Sequence, residues 1–246
     1  MKVLILAAGY GTRLASVAKD TPKPLLAIHN KPMIDYILEK VVDCPETSEV
    51  VVVTNNKFCK NFQEWAQMKK GLRVPIRIVN DGTNIPEERL GSVGDINFVW
   101  KNEKIVDDWL VVGGDNVFDF GIGEFIRFAQ QKIPAMTIGL YDIGDIKAAS
   151  KFGVVVVNAQ KRVVELQEKP QKPASSFIAM CFYYFPKATL GFMDDYIKEA
   201  TSTDAAGGYI QWLAAKKNVY GFQFQGKWYD IGSLESLEEA QKYFSR

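Results

Sequence analysis

Apolar runs alternate with amphipathic segments along most of this 246-residue chain. Continuous apolar runs predict strands buried on both faces, as in a parallel sheet, whereas apolar positions three and four residues apart predict helices. The pattern predicts strands at residues 3–8, 49–54, 76–79, 109–112, 135–141, 154–157, 163–168, 177–185 and 219–224. It predicts helices at residues 31–42, 57–70, 90–101, 123–131, 187–199 and 233–244, the last capped by Ser233.

This alternation predicts an α/β fold of Rossmann-like, three-layer α/β/α type, with a mostly parallel central mixed sheet. Residues 152–185 hold short strands without long helices between them, so we expect a small antiparallel extension there. A single domain is predicted over residues 1–246. No hexapeptide repeat follows the last helix, and we therefore expect no C-terminal β-helix domain.

The charge balance argues against polyanionic partners. Thirty basic and twenty-nine acidic residues give a net charge of +1, which provides no electrostatic footprint for nucleic acid or a membrane surface. Three cysteines without a Cys-x-x-Cys pair argue against a zinc site or a disulfide framework. No apolar run reaches the ~20 residues that span a bilayer, and we expect a cytoplasmic protein.

A glycine loop follows the first predicted strand. Gly9 and Gly11 have no Cβ, so backbone N–H groups there can approach phosphate oxygens, and Arg13 and Lys23 add positive charge. Arginine offers a planar fork and lysine a point charge, a combination suited to gripping several phosphates. The sequence therefore predicts a polyphosphate site at the end of this strand.

Two other kinds of phosphate loop are excluded. A dinucleotide fingerprint requires a third glycine where Leu14 stands, and an acidic residue near the end of the second strand, where the chain has Thr54, Asn55 and Asn56. A Walker loop requires Gly-Lys-Ser or Gly-Lys-Thr, and neither follows Gly9 at the required spacing.

Four ordered segments resemble one family. They are Leu-Ala-Ala-Gly-Tyr-Gly-Thr-Arg-Leu at 6–14 with Lys-Pro-Leu at 23–25, Gly-Gly-Asp-Asn at 113–116, Glu-Lys-Pro at 168–170, and Trp-Tyr-Asp-Ile-Gly-Ser at 228–233. In this order they resemble the sugar-1-phosphate nucleotidylyltransferases, of the glucose-1-phosphate thymidylyltransferase-like type, over nearly the whole chain.

The resemblance implies transfer of a nucleotidyl group from an NTP to a sugar 1-phosphate, with release of pyrophosphate, as part of nucleotide-sugar biosynthesis. It favours dTTP or UTP with a hexose 1-phosphate. The attacking phosphate oxygen is already an anion, so the reaction needs no general base, but it needs a divalent ion and fixed cations to neutralise charge. By the same resemblance, residues 1–115 would mainly bind nucleotide and residues 116–246 mainly the acceptor.

The resemblance also assigns residues. Arg13 and Lys23 would act on the triphosphate, and Asp115 and Asp230 would be catalytic ligands of Mg²⁺, a hard cation suited to carboxylate and phosphate oxygens. Glu168 would bind sugar hydroxyls and Lys169 the sugar phosphate, beside Ala179 and Met180. The residues expected to contact the nucleotide are Ala8, Gly9, Gly11, Thr12, Arg13, Asp81, Gly91 and Ser92.

One departure leaves alternatives open. Where the family carries a small Thr-Gly pair facing the sugar, this chain has Ile178-Ala179-Met180-Cys181, and larger side chains would reshape the acceptor pocket. A cytidylyltransferase acting on a phosphorylated polyol or choline is one alternative, and a non-catalytic nucleotide-binding homologue is another. A dinucleotide-dependent dehydrogenase would instead require NAD to bind better than an NTP. The oligomeric state, including a homo-oligomer, stays open.

Overall fold

The computed structural model describes residues 1–14, 20–103 and 106–245. The chain divides into two compact units. Unit 1 comprises Met1–Gly91, Val112–Gly121 and Gly226–Arg246, and unit 2 comprises Ser92–Val111 and Ile122–Gln225. The prediction of a single domain stays a prediction.

Strands and helices alternate along the described chain. The strands are β1 Lys2–Leu6, β2 Ala27–Ile28, β3 Lys31–Pro32, β4 Glu49–Thr54, β5 Ile76–Asn80, β6 Trp109–Gly113, β7 Asn116–Phe118, β8 Met136–Asp142, β9 Gly153–Val157, β10 Val163–Glu168, β11 Phe177–Phe185, β12 Val219–Gln223 and β13 Trp228–Asp230. The helices are α1 Met33–Val42, α2 Cys59–Met68, α3 Gly91–Lys101, α4 Gly123–Lys132, α5 Ile146–Ala149, α6 Phe192–Glu199, α7 Ala206–Lys216 and α8 Leu234–Phe244.

Unit 1 is built on three adjacent parallel strands. β4 pairs with β1 on one side and with β5 on the other, and the four valines of β4 are fully buried, as the apolar run predicts. Strands arranged in this way direct all their carboxyl ends to one edge of the sheet. The loops that follow β1, β4 and β5 therefore lie together at that edge.

Two cations hold Glu49 at the amino end of β4. Lys2 Nζ lies 2.9 Å and Arg77 Nε 2.8 Å from its carboxylate oxygens. Burial raises the pKa of Glu49, but the hydrogen bonds and charges of Arg77 and Lys2 outweigh burial and leave the pKa below its ordinary value of 4.5. The ion triad thus ties the three parallel strands together at their amino ends.

A short antiparallel ribbon completes unit 1. β7 pairs with β13, and α8 follows, with Ser233 as its N-cap in a capping box closed by Ser236. The helix predicted at the end of the chain is thereby confirmed together with its cap. A hydrophobic cluster of Leu14, Ile28, Met33, Tyr36, Val117, Ile231, Leu237 and Ala240 lies under the ribbon.

Unit 2 contains the antiparallel pairings. β8 pairs in parallel with β12 and antiparallel with β11, and β9 pairs antiparallel with β10 and β11. Four phenylalanine rings pack with centroids 5.0 to 5.7 Å apart to form an aromatic core, namely Phe125, Phe182, Phe222 and Phe224. The predicted antiparallel extension is present in this unit.

The predicted fold class is confirmed. Every predicted strand is present, with ends that agree or differ by at most two residues. The predicted 187–199 helix is shorter, because a 3₁₀ turn precedes α6. Helix α7 was not predicted, since Gly207 and Gly208 in its first turn lower its intrinsic helix propensity. No helix within residues 1–14, 20–103 or 106–245 is long and apolar enough to cross a membrane.

Candidate active site

The glycine loop continues directly from the parallel sheet. Ala7 N–H donates to the carbonyl of Val53 at 2.9 Å, which extends the β1–β4 ladder by one residue before the chain turns away. Gly11 has φ +65°, a conformation that L side chains adopt only with strain, so glycine is required there. A 3₁₀ turn, Thr12–Leu14, follows; it contains Arg13, whose side chain lies outside the described part of the structure.

A buried asparagine fixes the start of this loop. Asn55 is fully buried, and its Nδ2 donates to the carbonyl of Ala8 at 2.8 Å while its Oδ1 accepts from Phe58 N–H at 3.1 Å. Sequence reasoning used this segment only to exclude a dinucleotide site and missed its role. A polar residue directly after an apolar strand was the available signal.

Lys23 and Asp115 form an ion pair beside the loop. Lys23 opens the 3₁₀ turn Lys23–Leu25, and its Nζ lies 2.7 Å from Asp115 Oδ2. The Lys23 side chain is 16% exposed and that of Asp115 36% exposed, so the pair is only partly screened by water. The second carboxylate oxygen of Asp115 accepts from Asn116 Nδ2 at 3.2 Å, which restrains its orientation.

The ribbon of β7 and β13 brings the two predicted metal ligands into neighbouring positions. Asp230 is the register partner of Asn116, and Ile231 N–H donates to the carbonyl of Asp115 at 3.0 Å. Trp228 Nε1 donates to Asn116 Oδ1 at 2.6 Å and locks the pairing. Asp115 and Asp230 are 115 positions apart in sequence, yet their backbones are neighbours, as a shared ion would require.

A cavity of about 220 Å³ lies between the loop and the ion pair. Ligand pockets typically enclose roughly 300–1,000 Å³, so this volume suits the phosphate part of a nucleotide rather than all of it. The lining residues are Leu6, Ala7, Gly9, Gly11, Thr12, Leu14, Lys23, Pro24, Asp115 and Gly232.

The residues predicted to contact base and ribose are largely engaged within the protein. Asp81 Oδ1 accepts from the N–H and the hydroxyl of Thr83 at 2.7 and 2.8 Å. In unit 2, the N–H and hydroxyl of Ser92 both donate to the carbonyl of Asp204 at 2.9 Å. Gly91 has φ +77° at the start of α3. Their roles in nucleotide binding stay predictions.

The predicted acceptor residues Glu168 and Lys169 lie at the end of β10 in unit 2. Lys169 has φ +46°, a strained conformation for a lysine, and its N–H donates to the carbonyl of Phe152 at 2.9 Å. Two glycines make room for the carboxylate of Glu168. A Cβ atom at Gly153 would lie 3.1 Å, and one at Gly207 2.5 Å, from its Oε2.

In β11, where the sequence departs from the Thr-Gly pair of the family, the side chains alternate between the core and a partly exposed face. Ile178 and Met180 are fully buried, whereas Ala179 and Cys181 are partly exposed, as expected for a strand with alternating faces. A Cβ at Gly153 would lie 3.9 Å from that of Ala179, which places Ala179 next to the strand residue that flanks Glu168. The side chain of Met180 belongs to the core, so its predicted acceptor contact has no support here.

The donor set at the ribbon fits a hard divalent cation. Asp115 and Asp230 would supply carboxylate oxygens, the ligand type that Mg²⁺ prefers. Within the described part of the chain, no three or more His, Cys, Asp or Glu side chains cluster in a way that could hold a metal. An ion held here would therefore take its remaining ligands from phosphate and water, which is how Mg²⁺ is commonly bound beside nucleotides.

The similarity to known proteins extends over nearly the whole chain. A family model described as nucleotidyl transferase matches residues 2–246. The chain is 28% identical to a bifunctional GlmU protein of Methanocaldococcus jannaschii over 99% of its own length and 54% of that protein. It is 27% identical to a glucose-1-phosphate adenylyltransferase of Fervidobacterium nodosum over 96% of its own length and 59% of that protein.

The chain thus spans somewhat over half the length of these curated relatives. Among solved structures, a UDP-glucose pyrophosphorylase complexed with UDP-glucose superposes with a TM-score of 0.82 at 19% identity, covering 99% of this chain and 98% of that one. This likeness supports the fold. The match of the family model over residues 2–246 establishes that the chain belongs to the nucleotidyl transferase family.

Proposed function

We propose that this protein transfers a nucleotidyl group from an NTP to a sugar 1-phosphate and releases pyrophosphate. The observation that carries the proposal is the Lys23–Asp115 ion pair at the wall of the cavity beside the glycine loop, with Asp230 on the adjoining strand. The names of the curated relatives, which include a glucose-1-phosphate adenylyltransferase, favour a hexose 1-phosphate as acceptor.

The chain's own residues account for the requirements of this reaction. A phosphate oxygen of the acceptor attacks the α-phosphorus of the NTP, and pyrophosphate leaves in line, so no protein base or nucleophile takes part. The N–H groups around Gly9 and Gly11 would orient the phosphates, and Lys23 would neutralise charge that develops on them. Because Lys23 is held by Asp115, its ammonium group is positioned before the nucleotide binds.

Asp115 and Asp230 would hold Mg²⁺, which when bound supplies positive charge to the phosphate oxygens. Arg13 would add a second cation to the triphosphate, and Ala8, Thr12, Asp81, Gly91 and Ser92 stay candidates for contacts with the nucleotide. Glu168 would hold acceptor hydroxyls and Lys169 its phosphate. Ala179 is the β11 residue best placed to border the acceptor, since it lies next to Gly153.

The test is release of pyrophosphate from each NTP with Mg²⁺ against a panel of acceptors. The panel contains hexose 1-phosphates, phosphorylated polyols and phosphocholine. We expect release with a hexose 1-phosphate, most strongly from dTTP or UTP. Release only from CTP with a non-sugar acceptor would replace the sugar by a phosphorylated alcohol, and NTP binding without release in any combination would favour a binding module.

A matched pair of variants links the activity to the site. Asp115→Asn keeps the size of the side chain but removes the charge that holds Lys23 and the metal, and we expect a loss of about 100-fold or more in kcat. Asp43→Asn makes the same change at an exposed residue after α1 and should retain full activity. Equal activity of the two variants would contradict the assignment.

A further inference from the structure

Tyr10 stands inside the glycine loop, between Gly9 and Gly11, yet it is not among the residues that line the cavity beside the loop. Its side chain instead reaches the loop that follows β5. The Tyr10 hydroxyl lies 3.0 Å from Thr83 Oγ1, and the hydrogen bond is partly buried. An aromatic residue is therefore used here for a contact inside the protein.

Thr83 is itself firmly fixed. It is 6% exposed, its N–H and hydroxyl both donate to Asp81 Oδ1, and its carbonyl accepts from Asn56 N–H at 3.0 Å. A threonine hydroxyl has one proton, which goes to Asp81, and its oxygen can still accept. Tyr10 is therefore the donor and Thr83 the acceptor, and both hydroxyls are used in a defined direction.

This hydrogen bond joins loops that follow two strands separated by a third strand. The glycine loop follows β1 and Thr83 follows β5, while β4 lies between those two strands. Neighbouring strands are about 4.8 Å apart, so the two loops are separated by roughly 10 Å. Only a long side chain can bridge this distance, which gives a reason for tyrosine at a position flanked by glycines.

The loop is consequently held at two points. Asn55 holds the carbonyl of Ala8 at its start, and Thr83 holds the side chain of Tyr10 at its centre. The flexible glycines lie directly beside these anchors. A loop without the second anchor would have to lose more conformational freedom when it closes on a phosphate, and this loss would weaken binding.

We propose that the Tyr10–Thr83 hydrogen bond is a latch that holds the glycine loop in its phosphate-binding conformation. Tyr10 and Thr83 are then positioning residues for the nucleotide, acting through the loop backbone rather than by contact with the ligand. The inference rests on the proposed function, because it assumes that this loop binds the triphosphate of an NTP.

The experiment removes each hydroxyl alone and both together. Tyr10→Phe and Thr83→Val each delete one partner with little change of shape, and Thr83→Ser keeps the hydroxyl. Tyr36→Phe is the matched control, since the Tyr36 hydroxyl in the same unit donates to the carbonyl of Ile28, also at 3.0 Å. The dissociation constants of UTP and dTTP with Mg²⁺ are measured by calorimetry, and KM is measured for NTP and acceptor.

We expect Tyr10→Phe to raise the dissociation constant of the NTP about two- to tenfold, the effect of one neutral hydrogen bond. Thr83→Val, which also removes the hydrogen bond to Asp81, should give a rise at least as large. The double variant should bind no worse than Thr83→Val alone, because both changes break the Tyr10–Thr83 hydrogen bond. Thr83→Ser and Tyr36→Phe should bind like the wild type. The KM of the acceptor should not change in Tyr10→Phe, which separates a latch from general loss of structure.

Three results would overturn the inference, and the third also overturns the proposed function. If the wild type binds NTP and Tyr10→Phe binds it equally well, the latch is refuted while the proposed function stands. The same conclusion follows if the effects of Tyr10→Phe and Thr83→Val add in full. If the wild type binds none of the NTPs used in the pyrophosphate assay, the proposed function fails and the latch with it. Because Tyr10→Phe leaves the Asp81–Thr83 contacts untouched, it remains informative even if Thr83→Val does not fold.

Discussion

Replacement of Gly114 by alanine tests how tightly Asp115, the proposed metal ligand, is joined to the sheet. Gly114 is buried directly before Asp115, and its N–H donates to the carbonyl of Leu6 at 2.9 Å. A Cβ at this position would lie 2.7 Å from that same oxygen, 3.1 Å from Pro24 Cγ and 3.4 Å from a methyl group of Ile5. Ordinary van der Waals contact begins near 3.4 Å, so the backbone must move.

The expected cost follows from the nature of the neighbour. A backbone carbonyl in a buried strand cannot swing aside as a side chain can, and overpacking of a filled interior costs about 1–3 kcal/mol. For a chain of this size each kcal/mol lowers Tm by about 2–4 °C, so a fall of roughly 2 to 12 °C is expected. The same displacement would lengthen the 2.7 Å contact of Asp115 with Lys23 and reduce activity.

The assay is thermal unfolding with and without Mg²⁺ and NTP, together with pyrophosphate release. Gly121→Ala is the matched control, because a Cβ there would meet nothing within 4 Å and neither glycine has a positive φ. Both substitutions restrict the unfolded chain equally, so the difference between the variants isolates the close contact. Equal melting temperatures of Gly114→Ala and Gly121→Ala would refute the reasoning.

Two further predictions concern Glu168, the proposed acceptor ligand, and the stability of the protein in acid. Gly207→Ala would displace the flexible end of Glu168 while raising the helix propensity of α7, so we expect no loss of stability and a KM for the acceptor raised about tenfold. Gly208→Ala, whose Cβ would lie 2.7 Å from the hydroxyl of Tyr196, should instead lower Tm, and equal acceptor KM values in both variants would contradict this role. The pKa of Glu49 is lowered by folding, so its contribution to stability is present above pH 4.5 and is lost as the pH falls through the folded pKa. In urea unfolding, Glu49→Gln should be less stable than the wild type at neutral pH and approach it in acid; a constant difference across this range would exclude the effect.

The amino-acid pattern was sufficient for the repetitive parts of the fold. Runs such as the valines of β4 can be satisfied only by burial on both faces, and the spacing of apolar residues in α1 leaves one face for the core. The short β7–β13 ribbon was not predicted, because its pairing joins segments remote in sequence and has no local signal. Helix α7 was missed for the opposite reason, because a local signal was present but misleading. Its two glycines disfavour a helix, whereas packing against β10 stabilises it.

At the candidate site, the sequence by itself determined which residue types are present: the glycines of the loop, the lysine after it, and the aspartates at 115 and 230. Only the tertiary structure decided that Lys23 pairs with Asp115, that Asn55 and Thr83 hold the loop from neighbouring strands, and that Gly207 makes room for Glu168. The physical reason is that a residue's chemical capability is local, whereas its partner is chosen by strand order and register, which depend on the packing of the whole chain.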